Sequence, residues 1–198
     1  MTTDATTLRY AAFPRAGLLT DVGLVVLGAA LIAAAAQVSI PLGFTPVPVT
    51  GQTFAVLLVG SALGTVRGGA SASLYLLVGL LGVPIYADGQ GGWDIVAGAS
   101  GGYLIAFPLA AALTGWLAER GWDRRFSSSI GAMLTGNVLI YAIGLPWLAL
   151  ELNTGLERTL ELGFYPFVIG DTIKLYLAAA LLPTAWRFLG GRRGSAEE

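Results

Sequence analysis

The 198-residue chain contains no cysteine and no histidine. Thiol nucleophiles, disulfides, thiolate zinc sites and imidazole acid–base chemistry are therefore excluded. Charge is scarce as well: Asp, Glu, Lys and Arg together make up 12% of residues, roughly half the usual quarter. The net charge is −1 and no long basic run occurs, which argues against a nucleic-acid footprint. No G-x-x-x-x-G-K-[ST] loop is present to cradle ATP phosphates, so any energy for active work comes from elsewhere. No carboxylate cluster suggests a metal. What is abundant is apolar: 55% of residues are hydrophobic and 28 more are glycine, too little polar surface to wrap a water-soluble core.

Charge-free stretches run between Asp21 and Arg67, Arg67 and Asp88, Asp94 and Glu119, and Arg125 and Glu151. A bilayer core of about 30 Å needs about 20 apolar helical residues, and only helices satisfy their own backbone in lipid. The first stretch is too long for one span and breaks at Pro41, Pro46 and Pro48, inside IPLGFTPVPVTG. The expected architecture is an all-α membrane protein, a bundle of six transmembrane helices near 20–40, 49–65, 67–83, 99–118, 127–149 and 164–189. Arg9, Arg15, Arg67, Arg120, Arg124, Arg125, Arg187, Arg192 and Arg193 then fall on one side and Arg158 alone on the other, which places both termini in the cytoplasm. Residues 1–16 and 191–198 read as cytoplasmic tails around a 17–190 membrane domain with its pocket in the outer half. Trp116, Trp122 and Trp186 belong to the inner interface, Trp93 and Trp147 to the outer one. A cleaved signal peptide is the alternative reading of the N-terminus, but five further apolar segments would still need the membrane.

Two charges stand inside the last span, Asp171 and Lys174 in FYPFVIGDTIKLYLAAALL, at depths of roughly 10 and 15 Å. Each charge costs about 2.5–3.5 kcal/mol on insertion scales, so both should face protein or water, and their i, i+3 spacing puts them on one helix face. They either stabilise the bundle as an ion pair or line a polar pocket. Asn137 reaches the same level from the fifth span, as a ligand contact or an interhelical hydrogen bond. Gln52 and Thr53 open the second helix at the outer mouth, with Thr50 as its N-cap candidate. Ser100, Gly101, Gly102 and Tyr103 open the fourth, where two glycines would leave backbone N–H groups bare for an oxygen-rich ligand. Tyr86, Trp93 and Tyr103 are candidates to cover the apolar part of a ligand. Ala29 and Ala33, and Ala30 and Ala34, have the i, i+4 spacing that lets another helix approach, inside the bundle or from a partner, and Gly60, Gly64 and Gly68 repeat it. An intramembrane enzyme with Asp171 as base, or a docking protein with no ligand, are readings from other classes; the first lacks His, Cys and a second inward carboxylate.

The segments ALIAAAAQVSIPL, PVPVTGQT, GLLGVPIYADG, ASGGYLIAFPLA and YPFVIGDTIKLYLA, in that order, closely resemble BioY, the biotin-binding S component of energy-coupling factor (ECF) transporters, over about residues 20–189. The resemblance implies a multi-pass protein of the bacterial cytoplasmic membrane that takes biotin from outside, without a cofactor. It also implies a transmembrane coupling subunit and two cytoplasmic ATPase subunits as partners. The family's G-D-x-x-K motif lands on Gly170, Asp171 and Lys174, its TGQT stretch on Thr50 to Thr53 and its GGY stretch on Gly101 to Tyr103. The alanine face is similar to the family's docking surface for the coupling subunit. Two departures stand out: GASGGY in place of GPTGGY, and a third connection, YADGQGGWDIVAG, without Arg or Lys, so that anion recognition would fall more heavily on Lys174.

Overall fold

The computed structural model describes residues 7–13 and 17–194, with side chains to 189. Arg15, most of the expected N-terminal tail and half of the C-terminal one lie outside the described residues, as do the side chains of Arg192 and Arg193.

The charge-free stretches are helical. Helix α1 is Leu8–Ala12, α2 Leu18–Ala36, α3 Gln52–Leu63, α4 Thr65–Leu80, α5 Trp93–Ala97, α6 Gly101–Glu119, α7 Phe126–Leu152, α8 Leu156–Gly163 and α9 Tyr165–Gly194. Four of them, α2, α6, α7 and Tyr165–Leu189 of α9, are long and apolar enough to cross a membrane. The helices α3 and α4, expected at 49–65 and 67–83, are shorter: their 12 and 16 residues rise about 18 and 24 Å. The lost length at the start of α3 is a two-stranded hairpin, β1 Ser39–Ile40 against β2 Val49–Thr50, whose loop holds the three prolines. Proline removes a backbone donor and fixes its own φ, so the chain turns there instead of helixing.

The end of α3 is set by Gly64, whose φ of 87° is open to glycine and strained for any other residue. Glu119 reaches across from the end of α6, its carboxylate accepting the Thr65 N–H at 2.8 Å and the Thr65 hydroxyl at 2.8 Å, and so caps α4. The two helices then run back along each other, with Gly68 against Gly60 near the turn and Tyr75 against Gln52 at the far end. A Cβ at Gly60 would strike the Ala111 backbone and one at Gly115 the Gly64–Thr65 peptide, so the small residues serve close crossing of α3, α4 and α6. The central element is α6, 67% buried over its apolar window against 17% for α2.

Helix α2 turns Gly28, Ala29, Ile32 and Ala36 inward and leaves Leu27, Ala30, Leu31 and Ala34 exposed. The alanine pairs thus part: Ala29, with Ala33 half-buried behind it, packs inside the bundle, which corrects the reading of all four as a docking face. At the α3–α4 turn end, Asp21 is shared by Arg9 at 2.5 Å and Arg67 at 2.7 Å, and Tyr10 lies under both guanidinium groups. This ties α1 across the foot of α2 and α4, so these arginines are structural as well as topological signals.

Candidate functional site

At the hairpin end of the bundle, a cavity of about 170 Å³ lies under the 41–48 loop and the 82–92 connection, walled by α6, α7 and α9. Its polar floor is built on α9. Asp171 and Lys174 form an ion pair with Nζ–Oδ1 of 2.9 Å, and the carboxylate residue is only 6% exposed. The opposite face of α9 carries Ile169, Ile173, Tyr176 and Leu177, all exposed, so the charged face is turned inward and the apolar face out.

Three residues from two other helices converge on the pair. Thr53 of α3 accepts a hydrogen bond from Lys174 Nζ at 3.2 Å and donates its own to Asp171 Oδ1 at 3.4 Å. From α7, Asn137 Nδ2 donates to Oδ2 at 3.4 Å and the Tyr141 hydroxyl donates to the same oxygen. The Asp171 carboxylate thus receives donors from Lys174, Thr53, Asn137 and Tyr141, about the four it can accept. Lys174 makes two of its three possible hydrogen bonds here, to Thr53 and Asp171. The floor therefore offers an incoming group an N–H donor rather than an acceptor.

Gln52 and Thr53 line the cavity, with Asp171, Lys174, Tyr86, Ser100 and Tyr103. Gln52 is held on both sides, donating to the Tyr75 hydroxyl at 2.6 Å and accepting from Thr50 Oγ1 at 2.7 Å. Thr50 is not the N-cap of α3; that position is Gly51, and the Thr50 hydroxyl accepts the Gln52 N–H at 3.3 Å. The Tyr103 hydroxyl donates to the Gly163 carbonyl at 3.0 Å, and its ring stands edge-on to Tyr141 at 6.2 Å. Tyr86 donates to the Leu76 carbonyl at 2.6 Å, its ring edge-on to Tyr75, and burial pushes its phenol up to about 12. The Gly-rich connection folds back onto the bundle: Tyr86 and Val96 are buried, and Gly92 N–H donates to the Gly79 carbonyl at 2.7 Å.

Three expected contacts fall elsewhere. Trp93, at the start of α5, is 66% exposed and does not line the cavity. Gly101 does not present a bare N–H; it donates to the Gly98 carbonyl at 3.0 Å. Its missing side chain makes room for the Val96 carbonyl and the Trp147 indole, and Gly102 likewise packs on Trp147. Asn137 lies beneath the cavity rather than in its wall, touching Asp171 from below and sharing a second, smaller void with Thr53, Lys174 and Met133. Tyr141 was missed by the sequence reading, although it stands i+4 from Asn137 and so on the same face of α7. Asp88 and Gln90, also missed, line the cavity from the 82–92 connection.

Fold and site together define a multi-pass helical membrane protein with a polar-floored cavity reached from one end of the bundle. The model of the BioY family matches residues 3–191. A probable biotin transporter BioY of Pyrococcus horikoshii is 38% identical over 161 residues, 81% of this chain and 93% of its own length. The biotin transporter BioY of Rhizobium etli is 36% identical over 81% of this chain and 90% of its own. A 2.1 Å crystal structure of the S-component for biotin from an ECF-type ABC transporter superposes with a TM-score of 0.77 at 27% identity, covering 85% of this chain and 92% of that one. The chain belongs to the BioY family.

Proposed function

We propose that the chain is the biotin-binding membrane subunit of an ECF-type transporter, and that biotin occupies the cavity above Asp171 and Lys174. The observation that carries this reading is the buried, inward-facing Asp171–Lys174 pair at the floor of a cavity in a member of this family. Tyr86, Tyr103 and Phe107 supply apolar wall for a thioether ring and alkyl chain, while Lys174, Thr53, Gln52 and Ser100 supply polar contacts. Asn137 acts through Asp171, whose carboxylate it holds from below.

On this reading α2, α3, α4, α6, α7 and α9 all cross the bacterial cytoplasmic membrane, α3 and α4 as two short spans inside a 17–190 membrane domain. The hairpin end faces outward and both tails lie in the cytoplasm, consistent with the arginine distribution. A transmembrane coupling subunit docks on the exposed Ala30–Ala34 face of α2, and two cytoplasmic ATPases supply the energy; the structural neighbour comes from an ECF-type ABC transporter. The intramembrane-enzyme reading finds no support, since the matched relatives carry transporter names.

Equilibrium binding of biotin to the purified chain tests the site. Lys174→Ala and Asp171→Ala each truncate one partner of a desolvated charge pair and should weaken binding by about 2–5 kcal/mol. Unchanged affinity in both variants would remove biotin from this cavity.

A further inference from the structure

The cavity offers a solute polar groups but no unbalanced positive charge. Among the described residues that line it, Lys174 is the only cation, and Asp171 holds it at 2.9 Å. The buried floor is thus a neutral pair, and Lys174 does not carry the heavier anion recognition expected of it. The phenols of Tyr86, Tyr103 and Tyr141 give their protons to the Leu76 and Gly163 carbonyls and to Asp171. The hydroxyls of Thr45, Thr50 and Thr53 give theirs to the Leu162 carbonyl, Gln52 and Asp171. Donors that remain for a ligand are the Ser100 hydroxyl, the second N–H of Gln52 and the third N–H of the balanced Lys174. At the mouth the exposed lining residues are Pro41, Pro46, Asp88 and Gln90, none of them a cation. Arg158, on α8, does not line the cavity and is paired with Glu161 at 2.8 Å.

An ionised carboxylate brought into such a cavity has two places to go. At the floor it loses its water and gains no free cation in return, a net cost. At the mouth it keeps its water and forgoes no ion pair, because none is on offer there. Resting on the biotin reading above, we propose that the chain leaves the carboxyl end of biotin unpaired at the mouth, recognises the rest of the molecule, and so takes amides of biotin as a second class of ligand. An amide removes the charge and keeps the ring and the chain. At a wetted mouth its N–H groups find water, so no buried donor is left without an acceptor. A substituent on the amide nitrogen runs outward past Pro41, Pro46, Asp88 and Gln90 into solvent.

Equilibrium binding to the purified full chain at pH 7 tests this without any variant, by comparing biotin with its primary amide and its N-butyl amide. Both amides should bind with a Kd within about threefold of that of biotin, or tighter, and both should displace bound biotin. A primary amide weaker than biotin by more than that overturns the proposal while leaving the biotin site standing, because the carboxylate would then be paired inside the site. A primary amide that matches biotin beside an N-butyl amide that does not overturns it as well, by placing the carboxyl end within the cavity instead of at its mouth. Amides that bind without displacing biotin overturn it by placing them elsewhere on the chain. No binding of biotin overturns the biotin reading itself.

Discussion

Residue by residue, the site is organised around one carboxylate. Tyr141 is the contact the sequence concealed: a tyrosine in an apolar helix is ordinarily core, and only its i+4 relation to Asn137 marks it. Its hydroxyl donates to Asp171, and Phe at this position keeps the ring between Tyr103 and Phe164 while removing the donor. Tyr141→Phe should fold normally and bind biotin about ten- to a hundredfold more weakly, measured by equilibrium binding, since a hydrogen bond to a charged group contributes about 1.5–3 kcal/mol. Asp171 and Lys174 were legible because a charge in an apolar run has few tolerable explanations. Trp93 was misread because an aromatic residue beside a Gly-rich turn carries no information about which way it points, and it points away from the cavity.

Among the elements, the long helices announce themselves by hydropathy, and their short companions do not. The 2-residue strands of the hairpin, the 5-residue α5 and the 8-residue α8 are fixed by what they rest on rather than by their own periodicity. Thr45, for example, donates to the Leu162 carbonyl at 2.7 Å, a bond across 117 positions that no local pattern foretells. The α6 crossing was visible as glycine spacing, though not its partners. Gly60→Leu, driven into the Ala111 backbone, should lower the thermal stability of the detergent-solubilised chain by about 1–3 kcal/mol or more.

The turn between α6 and α7 makes a different prediction. Asp123 there is buried, and burial pushes its carboxyl up to about 6, against the Trp186 indole N–H that donates to it at 2.6 Å. The folded form then holds a proton that the unfolded chain, with an ordinary Asp near 4, has released, so stability falls as pH rises from about 4 to 6 and stays lower above that. Asp123→Asn keeps an acceptor for Trp186 and should raise the melting temperature at pH 8 more than at pH 5. An equal shift at both values would show that Asp123 burial carries no charge penalty.

At the scale of the whole molecule, the bundle is asymmetric: α6 gives most of its surface to its neighbours and α2 gives little. The sequence located the alanine rows, but one row faces inward and the other outward, a distinction that depends on where α3 and α4 pack. Ala29 should tolerate no enlargement, whereas Ala30 and Ala34 stand on an open apolar face. The double variant Ala30→Trp, Ala34→Trp should leave biotin affinity of the purified chain unchanged. It should cut uptake by cells carrying the coupling and ATPase subunits by about tenfold or more, because bulky groups hold helices apart at small-residue contacts. Loss of affinity instead would place this face inside the binding unit.

The roof over the cavity is fastened lightly. Swinging the 41–48 segment outward gives up the Thr45–Leu162 hydrogen bond, wets Val47, which is 6% exposed, and uncovers half-buried Leu42 and Pro48, at a cost of at least about 2–4 kcal/mol. If biotin enters from this end, a swing of that cost holds the segment outward no more than about three per cent of the time, so Thr45→Val should quicken biotin association, read by stopped-flow binding.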